Sequence, residues 1–310
     1  MTIALISNTN LDNRQYTTDD YRADCFAIGA YWTVNNLFAD LQKNNIPFDV
    51  YAHFNFLKKT QSIQEIRKRI VGELRPAQTW ANDFNEIEQI FLERHGIDIS
   101  KENHKLPHWQ FYRVIMQFYW FIDTSYKAIQ QNDIYTHFLR WRPDSIWKKD
   151  DFSSHKLKAF LYGGFKINTG YEITQAMARV QNISLVPGVS GNQIMVADQF
   201  FCLEREAVIK CHEVLHQWVT YTYQQLTSMD LSDPKNFGKA VLRDFVYPEV
   251  FLGKLLTIAK IHVSVFDTFC QRLVRPTWLE NSTVEEINSF ANANIAELNK
   301  FLNSIEKNKK

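Results

Sequence analysis

Residues Ile134–Trp147 read IYTHFLRWRPDSIW, and this stretch decides the fold expected for the rest of the chain. Its first half is short, apolar and aromatic, which predicts a buried strand over Ile134–Leu139. Pro143 lacks a backbone N–H and pushes Arg142 towards extended geometry, so the sheet ladder should end close to these residues. The stretch therefore predicts a strand that leaves its sheet through a charged turn.

Two arginines and one aspartate, Arg140, Arg142 and Asp144, follow that strand at its carboxyl end. Open α/β sheets bind their ligands at this end of the strands. Guanidinium groups pair with phosphate oxygens through two hydrogen bonds at a time, and a neighbouring carboxylate suits a divalent cation or a sugar hydroxyl. A solvated turn with an Arg–Asp ion pair is the alternative interpretation, and this segment alone does not decide between the two.

The same residues resemble the R-x-R-P-D segment of bacterial capsule and lipopolysaccharide glycosyltransferases with the GT-A fold. Other short segments agree with that family in the same order along the chain: FDV at 48–50, QFY at 117–119, DQF at 198–200 and YPE at 247–249. The resemblance covers most of residues 1–265. It implies an α/β fold, namely a GT-A-like, Rossmann-like sandwich around a central mixed sheet with a helical C-terminal segment.

The resemblance also implies an activity. The chain would move a sugar from a nucleotide-sugar donor to a glycan or lipid-linked glycan acceptor during synthesis of capsule, O-antigen or lipopolysaccharide. The residues expected to bind the donor are Ser7, Arg14, Gln117, Arg140, Arg142, Asp144 and Gln199. Arg22 competes with Arg14 for its role, because the loop that carries both is longer than the family pattern.

Two aspartates receive further roles from the resemblance. Asp144 stands where the family places a metal-binding aspartate, so Mn²⁺ or Mg²⁺ is a candidate cofactor, and the single carboxylate leaves the metal requirement open. Asp198 interrupts an apolar strand, where an unpaired carboxylate is costly. We expect Asp198 to be the general base that deprotonates the acceptor hydroxyl if the enzyme inverts, with capping of the next element as its alternative role.

Hydrophobic periodicity predicts strands that alternate with helices. Over the first 130 residues, strands are expected at Thr2–Ser7 and Phe48–His53, and helices at Cys25–Lys43, Ile63–Leu74, Asp83–His95 and Trp109–Gln130. Further on, strands are expected at Leu161–Thr169, Ile183–Pro187, Ile194–Leu203 and Ile261–Phe266, and helices at Glu204–Leu226, Tyr247–Leu256 and Val284–Lys307. Such alternation is typical of an α/β sheet. We expect one catalytic domain over residues 1–270 and a helical extension over 271–310.

Composition limits the kinds of partner and the cellular location expected for the chain. The 310 residues carry a net charge of +1, which indicates no nucleic-acid partner, and 45% are apolar, enough for a large core. No apolar run reaches the length of a membrane span, so at most a peripheral membrane contact is expected. The four cysteines lack C-x-x-C spacing and no secretory signal is visible. These features predict buried thiols and a cytoplasmic location, with the lysine-rich tail as a weak candidate contact to the inner face of the membrane.

A competing motif lies at residues 212–216, which read HEVLH. On a helix, two histidines four residues apart can bind zinc while the glutamate acts as general base, so a zinc-dependent peptidase is an alternative function. Periodicity places His212 beside the apolar stripe of its helix, with Glu213 and His216 turned away from it. This placement favours partly exposed polar residues. A non-catalytic sugar-binding module remains the third alternative.

Overall fold

A computed structural model of the chain describes residues 1–10, 29–56, 61–98, 108–143, 145–147, 165–168 and 200–227. Near the C-terminus it describes 252, 255–256, 258–261, 263–265 and 271–273. The predicted strand at Ile183–Pro187 and the predicted helix at Val284–Lys307 lie outside these residues. The expected division at residue 270 therefore stays a prediction.

Nine strands form two sheets within the described part of the chain. They are β1 (Thr2–Asn10), β2 (Phe48–Phe56), β3 (Gln78–Asp83), β4 (Tyr135–Trp141), β5 (Ser145–Trp147), β6 (Phe165–Asn168), β7 (Phe200–Glu204), β8 (Val263–Val265) and β9 (Gln271–Leu273). The main sheet has seven strands in the order β3-β2-β1-β4-β7-β6-β8, and β5 pairs with β9 in a separate two-stranded sheet.

The main sheet is mixed. Strands β1 to β4 are parallel to one another, β7 is antiparallel to both β4 and β6, and β8 is parallel to β6. The order β3-β2-β1-β4 is the one found in the nucleotide-binding half of doubly wound folds. The predicted fold class, a GT-A-like and Rossmann-like sandwich around a central mixed sheet, is confirmed by this topology.

Helices cover both faces of the sheet. Helix α1 starts its described course at residue 29, continues as a π-helix over Thr33–Phe38 and ends as an α-helix over Ala39–Lys43. The others are α2 (Gln61–Leu74), α3 (Phe84–His95), α4 (His108–Gln131) and α5 (Arg205–Thr227). None of the helices in the described residues combines the length and the apolarity that crossing a bilayer requires.

Alternate residues of each strand supply the two halves of the core. Ala4 and Ile6 of β1 pack with α3, α4 and α5 in one buried cluster, which we call the α4 face of the sheet. Ile3 and Leu5 of the same strand pack with α1 and α2 in a second cluster, on the α1 face. Because successive side chains of a strand point to opposite faces, a residue's parity largely decides which helices it meets.

Helix α3 shows how local sequence sets the ends of an element. Asp83 accepts a hydrogen bond from the Glu86 backbone N–H at 3.0 Å, and the Glu86 carboxylate accepts one from the Asp83 N–H at 2.9 Å. This reciprocal capping box satisfies donors that the first helical turn leaves open. At the other end Gly96 adopts φ 65°, the left-handed conformation that glycine tolerates best.

The structure differs from the predicted elements at several places, and the differences at β3 and β4 bear on the site. Strand β3 was not expected, because QTWAND has no apolar run, and all its residues are half-buried at the edge of the sheet. Strand β4 continues past Leu139 to Trp141, so Arg140 is a strand residue and not part of the turn. The ladder ends at Trp141, just before the proline turn that the sequence indicated.

Candidate functional site

Neutral polar side chains line the α4 face at the carboxyl ends of three parallel strands. In the strand register Asn8 of β1 stands opposite His53 of β2, and Asn55 of β2 stands opposite Asn82 of β3. Residues opposite one another in a parallel pair point to the same face. We call these four residues the amide row, and it lies where open α/β sheets bind ligands.

Along β2, the side chains on the α4 face change from apolar to polar. On β2, Tyr51 still belongs to the apolar cluster of the α4 face, whereas His53 and Asn55, the next two positions on that face, are polar. Both are buried, as is Asn8. Buried polar groups are costly without partners, so a polar end to an otherwise apolar strand indicates a role other than packing.

His53 is the central member of the row. Its imidazole stacks on the Trp120 indole of α4, with ring centroids 4.4 Å apart. Burial, reinforced by the charge of Lys127, lowers the pKa of His53 to about 3, although the side chains of Asn55 and Asn82 act in the opposite direction. The ring is therefore neutral at physiological pH, and the amide row presents dipoles without charge.

Charged side chains lie beside the amide row on α4. The Lys127 ammonium lies 5.8 Å from the Trp80 ring centroid and 6.0 Å from that of Trp120. Its Nζ is 2.7 Å from an Asp123 carboxylate oxygen, and the Arg94 guanidinium is 2.9 Å from the other. The buried Asp123 carboxylate is thus shared by two cations, and the rings below Lys127 adjoin the amide row.

The predicted arginines lie at the carboxyl end of β4, the strand next to β1. Arg140 stands opposite Ile6 of β1 and so points to the α4 face, where only 1% of the residue is exposed. Its guanidinium carbon is 5.8 Å from the centroid of the Phe201 ring. Arg142 follows the last residue of the strand and is 9% exposed. Both arginines are enclosed by protein, and neither extends into bulk solvent.

The structure does not bring Ser7 together with the arginines. Ser7 is buried and stands opposite Ala52 and Trp141, which belong to the cluster on the α1 face. It therefore points away from Asn8 and Arg140. The ring of Trp141 is fully buried, with its edge against Phe38, so this tryptophan packs in the core.

The remaining predicted site residues fall where the structure gives no side chain. Arg14, Asp144, Asp198 and Gln199 lie outside the described residues, and so does Arg22. Gln117 lies on α4, but its side chain is outside the description. Their assigned roles, including the metal at Asp144 and the general base at Asp198, stay predictions.

Sequence reasoning missed the amide row. Amide or imidazole side chains recur with a period of two at the ends of β1 and β2, at Asn8 and Asn10 within S-N-T-N and at His53 and Asn55 within H-F-N. This alternation, directly after an apolar strand, is the available signal. The signal was weak because Asn82 belongs to β3, and the sequence of β3 does not predict a strand.

The HEVLH segment does not assemble a zinc site in the described residues. The His212 ring stacks on Tyr126, with centroids 3.6 Å apart and planes 4° apart, whereas His216 meets His95 of α3. The two imidazoles thus have different partners. Within the described ranges, no group of three histidine, cysteine or carboxylate side chains is placed to hold a metal ion. The predicted exposure of Glu213 and His216 is confirmed.

A cavity of about 580 Å³ lies at the other end of β2. Its walls include Phe38, Val50 and Leu74, with Asp49 and Arg75 among its polar residues. It opens at the amino end of the strand, so it is separate from the amide row and from both arginines. None of the residues predicted to bind the donor lines it.

Comparisons with known proteins find fold-level similarity only. No protein-family model matches the chain, and no curated protein matches it. Among solved structures, the apo form of mouse xyloside xylosyltransferase 1 aligns at 10% identity over 95% of each chain, with a TM-score of 0.44. The inositol-1-phosphate CTP transferase from T. maritima aligns at 10% identity over 93% of this chain and 95% of that one, with a TM-score of 0.38. Scores this low carry no argument about activity.

Proposed function

We propose that this chain is a glycosyltransferase that transfers a sugar from a nucleotide-sugar donor to a glycan acceptor in surface polysaccharide synthesis. The observation that carries the proposal is a division of chemistry along one sheet edge. Neutral hydrogen-bonding side chains occupy the ends of β1, β2 and β3, and Arg140 and Arg142 occupy the end of β4. A nucleotide sugar has the matching division between an uncharged base and ribose and a doubly charged diphosphate.

The arginines take complementary roles in this proposal. Arg142 lies beyond the end of the ladder and binds the diphosphate oxygens, for which a guanidinium fork is well shaped. Arg140 is enclosed against Phe201 and adds fixed positive potential beneath the same oxygens. Such preorganised charge stabilises the leaving group more strongly as negative charge develops on it, and this difference lowers the barrier.

The transfer step needs a base and a leaving group. In the inverting version, Asp198 accepts the proton of the acceptor hydroxyl as its oxygen forms a bond to the sugar's anomeric carbon. The bond between that carbon and the diphosphate oxygen breaks at the same time, and the nucleoside diphosphate leaves with the electron pair. Asp144 contacts the donor and is the candidate ligand for Mn²⁺ or Mg²⁺.

A panel of nucleotide sugars, scored for released nucleotide with and without Mn²⁺, tests the proposal. Turnover should appear with at least one donor and should disappear in Asp144→Ala and Arg142→Ala, while circular dichroism shows retained folding. The matched control is Arg69→Ala on α2, away from the carboxyl edge, which should keep full activity. Full turnover in Arg142→Ala would refute the assignment, and saturable donor binding without nucleotide release in the wild type would favour the sugar-binding module.

A further inference from the structure

Helices α3 and α5 meet through two histidine rings. The Nδ1 atoms of His95 and His216 are 2.9 Å apart, their ring centroids are 5.1 Å apart, and their planes differ by 15°. The centroid distance exceeds the Nδ1–Nδ1 distance by about the sum of the two ring radii. Both nitrogens therefore lie nearly on the line that joins the centroids. The rings therefore meet edge to edge and nearly in one plane, with the two Nδ1 positions aimed at each other.

This geometry requires exactly one proton between the rings. A hydrogen bond needs a donor and an acceptor, and each imidazole nitrogen is one or the other according to its tautomer. With no proton between them, two lone pairs would face each other. With two protons, two donors would face each other at a hydrogen-bonding distance.

The neighbouring groups indicate which ring donates. Arg94 Nη1 lies 3.3 Å from the Tyr119 hydroxyl and can only donate to it. Burial raises the pKa of Tyr119 to about 12, so the phenol keeps its hydrogen. His95 Nε2 is 3.1 Å from that hydroxyl and accepts this hydrogen. His95 then carries its own proton on Nδ1 and donates it to His216 Nδ1.

The surroundings oppose a second proton on the pair. Among the described residues, the charged or titratable groups that act on His95 or bond to it are Arg94 on α3 and Tyr119 and Asp123 on α4, besides His216 itself. His212 and Glu213 lie one turn before His216 on α5. Asp123 would favour a positive ring, but its carboxylate is already shared by Arg94 and Lys127. Burial, His216 and Arg94 together lower the pKa of His95 to about 4, and Asp123 offsets this only in part.

We propose that His95 and His216 form a one-proton clamp between α3 and α5 that opens when a second proton binds. Acidification then separates the helices at this contact, because the added proton makes one ring cationic and sets two Nδ1–H donors against each other at hydrogen-bonding distance. The clamp also contacts the part of α4 that packs over the amide row. Tyr119, which bonds to His95, directly precedes Trp120, the residue stacked on His53. Opening the clamp would loosen that packing.

Backbone hydrogen exchange of the full chain, corrected for the intrinsic pH dependence of exchange, tests the clamp. Between about pH 7.5 and about pH 5, opening of the amides near His95 should rise at least about tenfold in the wild type. His216→Gln should reduce this response, because glutamine accepts the His95 proton but does not titrate, so that only His95 still contributes to it. His212→Gln is the control on the same helix: it removes the ring stacked on Tyr126 but keeps the contact between His95 and His216, so the pH response of the amides near His95 should stay larger than in His216→Gln.

Three results would overturn the clamp. One is an unchanged wild-type exchange rate across this range, and another is an undiminished pH response in His216→Gln. The third is stoichiometric zinc binding in the wild type that His216→Gln abolishes, which would make the two rings metal ligands. As a measurement that does not depend on any variant, ¹⁵N spectra at neutral pH should show His95 protonated on Nδ1, and protonation on Nε2 would contradict the clamp.

Discussion

The imidazole of His53 lies over the indole of Trp120, with ring centroids 4.4 Å apart and planes inclined by 29°. This contact joins α4 to the carboxyl end of β2. Burial there makes the charged imidazole costly, which is the main reason why the pKa of His53 falls to about 3. The site therefore keeps a neutral ring across the whole physiological range, at the same edge of the sheet as two buried arginines.

The His53 pKa predicts how stability depends on pH. Since the group binds a proton near 6.5 when unfolded and near 3 when folded, the unfolded chain holds more protons between these values. Its contribution to stability is complete above pH 6.5 and is lost as pH falls towards 3. Urea unfolding at about pH 7 and about pH 4.5 should show the wild type losing about 2–3 kcal/mol more than His53→Gln. Equal losses would mean that the ring is protonated in the folded state.

Substitution of Arg140 should mainly lower stability, whereas substitution of Arg142 should mainly weaken nucleotide binding. Arg140→Ala empties a fully buried site against Phe201, and we expect it to cost about 2–4 kcal/mol of unfolding free energy. Arg142→Ala should cost less and should instead remove most of the thermal shift produced by UDP, GDP or CMP in the wild type. Nucleotide thermal shifts measured on both variants check this, and an unchanged shift in Arg142→Ala would contradict its role at the diphosphate.

Two exposed glycines with open space at the Cβ position should respond in opposite directions. Gly96→Ala forces a side chain into φ 65° and should destabilise the protein by about 1 kcal/mol. Gly72 lies within α2, and a Cβ added there would meet no atom within 4 Å. Gly72→Ala should therefore stabilise the protein by about 0.5–1 kcal/mol. Denaturant midpoints measure both. Equal effects would show that helix capping is not what Gly96 contributes.

Asp123 is the one carboxylate in the sequence of α4, and its removal should be costly. Its buried side chain bonds to Arg94 at 2.9 Å and to Lys127 at 2.7 Å, so Asp123→Asn leaves two cations without their anion. We expect a loss of about 2–4 kcal/mol in unfolding free energy. Glu93→Gln removes an exposed carboxylate bonded only to Gln89 among the contacts described here, and it should cost less than about 0.5 kcal/mol. Urea titrations of both variants provide the comparison.

Much of the fold was predictable because its signals are local. The predicted strand at Thr2–Ser7 lies within β1, and the predicted helices at Ile63–Leu74 and Asp83–His95 match α2 and α3 within two residues. Apolar spacing and the capping residues lie within one or two turns of the chain, so a single sequence carries them. Strand β3 lacks such spacing, because its half-buried side chains do not alternate between core and solvent.

The candidate site was predictable only in part. The turn after β4 was located correctly, and Arg140 and Arg142 lie at the end of that strand, as the following proline indicated. Their role in binding a donor stays a prediction. Ser7 was chosen as the nearest match to a small residue of the resembled family, yet its parity turns it to the α1 face. His53 was not chosen at all, because nothing near it in the sequence shows that amides from β1 and β3 would stand beside it.

By itself the sequence determined most of the element types, the end of β4 and the charge carried there, since these depend on residues a few positions apart. Only the tertiary structure decided which side chains share a face, that Arg140 is enclosed against Phe201, and that His216 meets His95 and not His212. The reason is physical: strand register and helix packing join residues far apart in the chain, and the energy of those contacts exists only once the chain has folded.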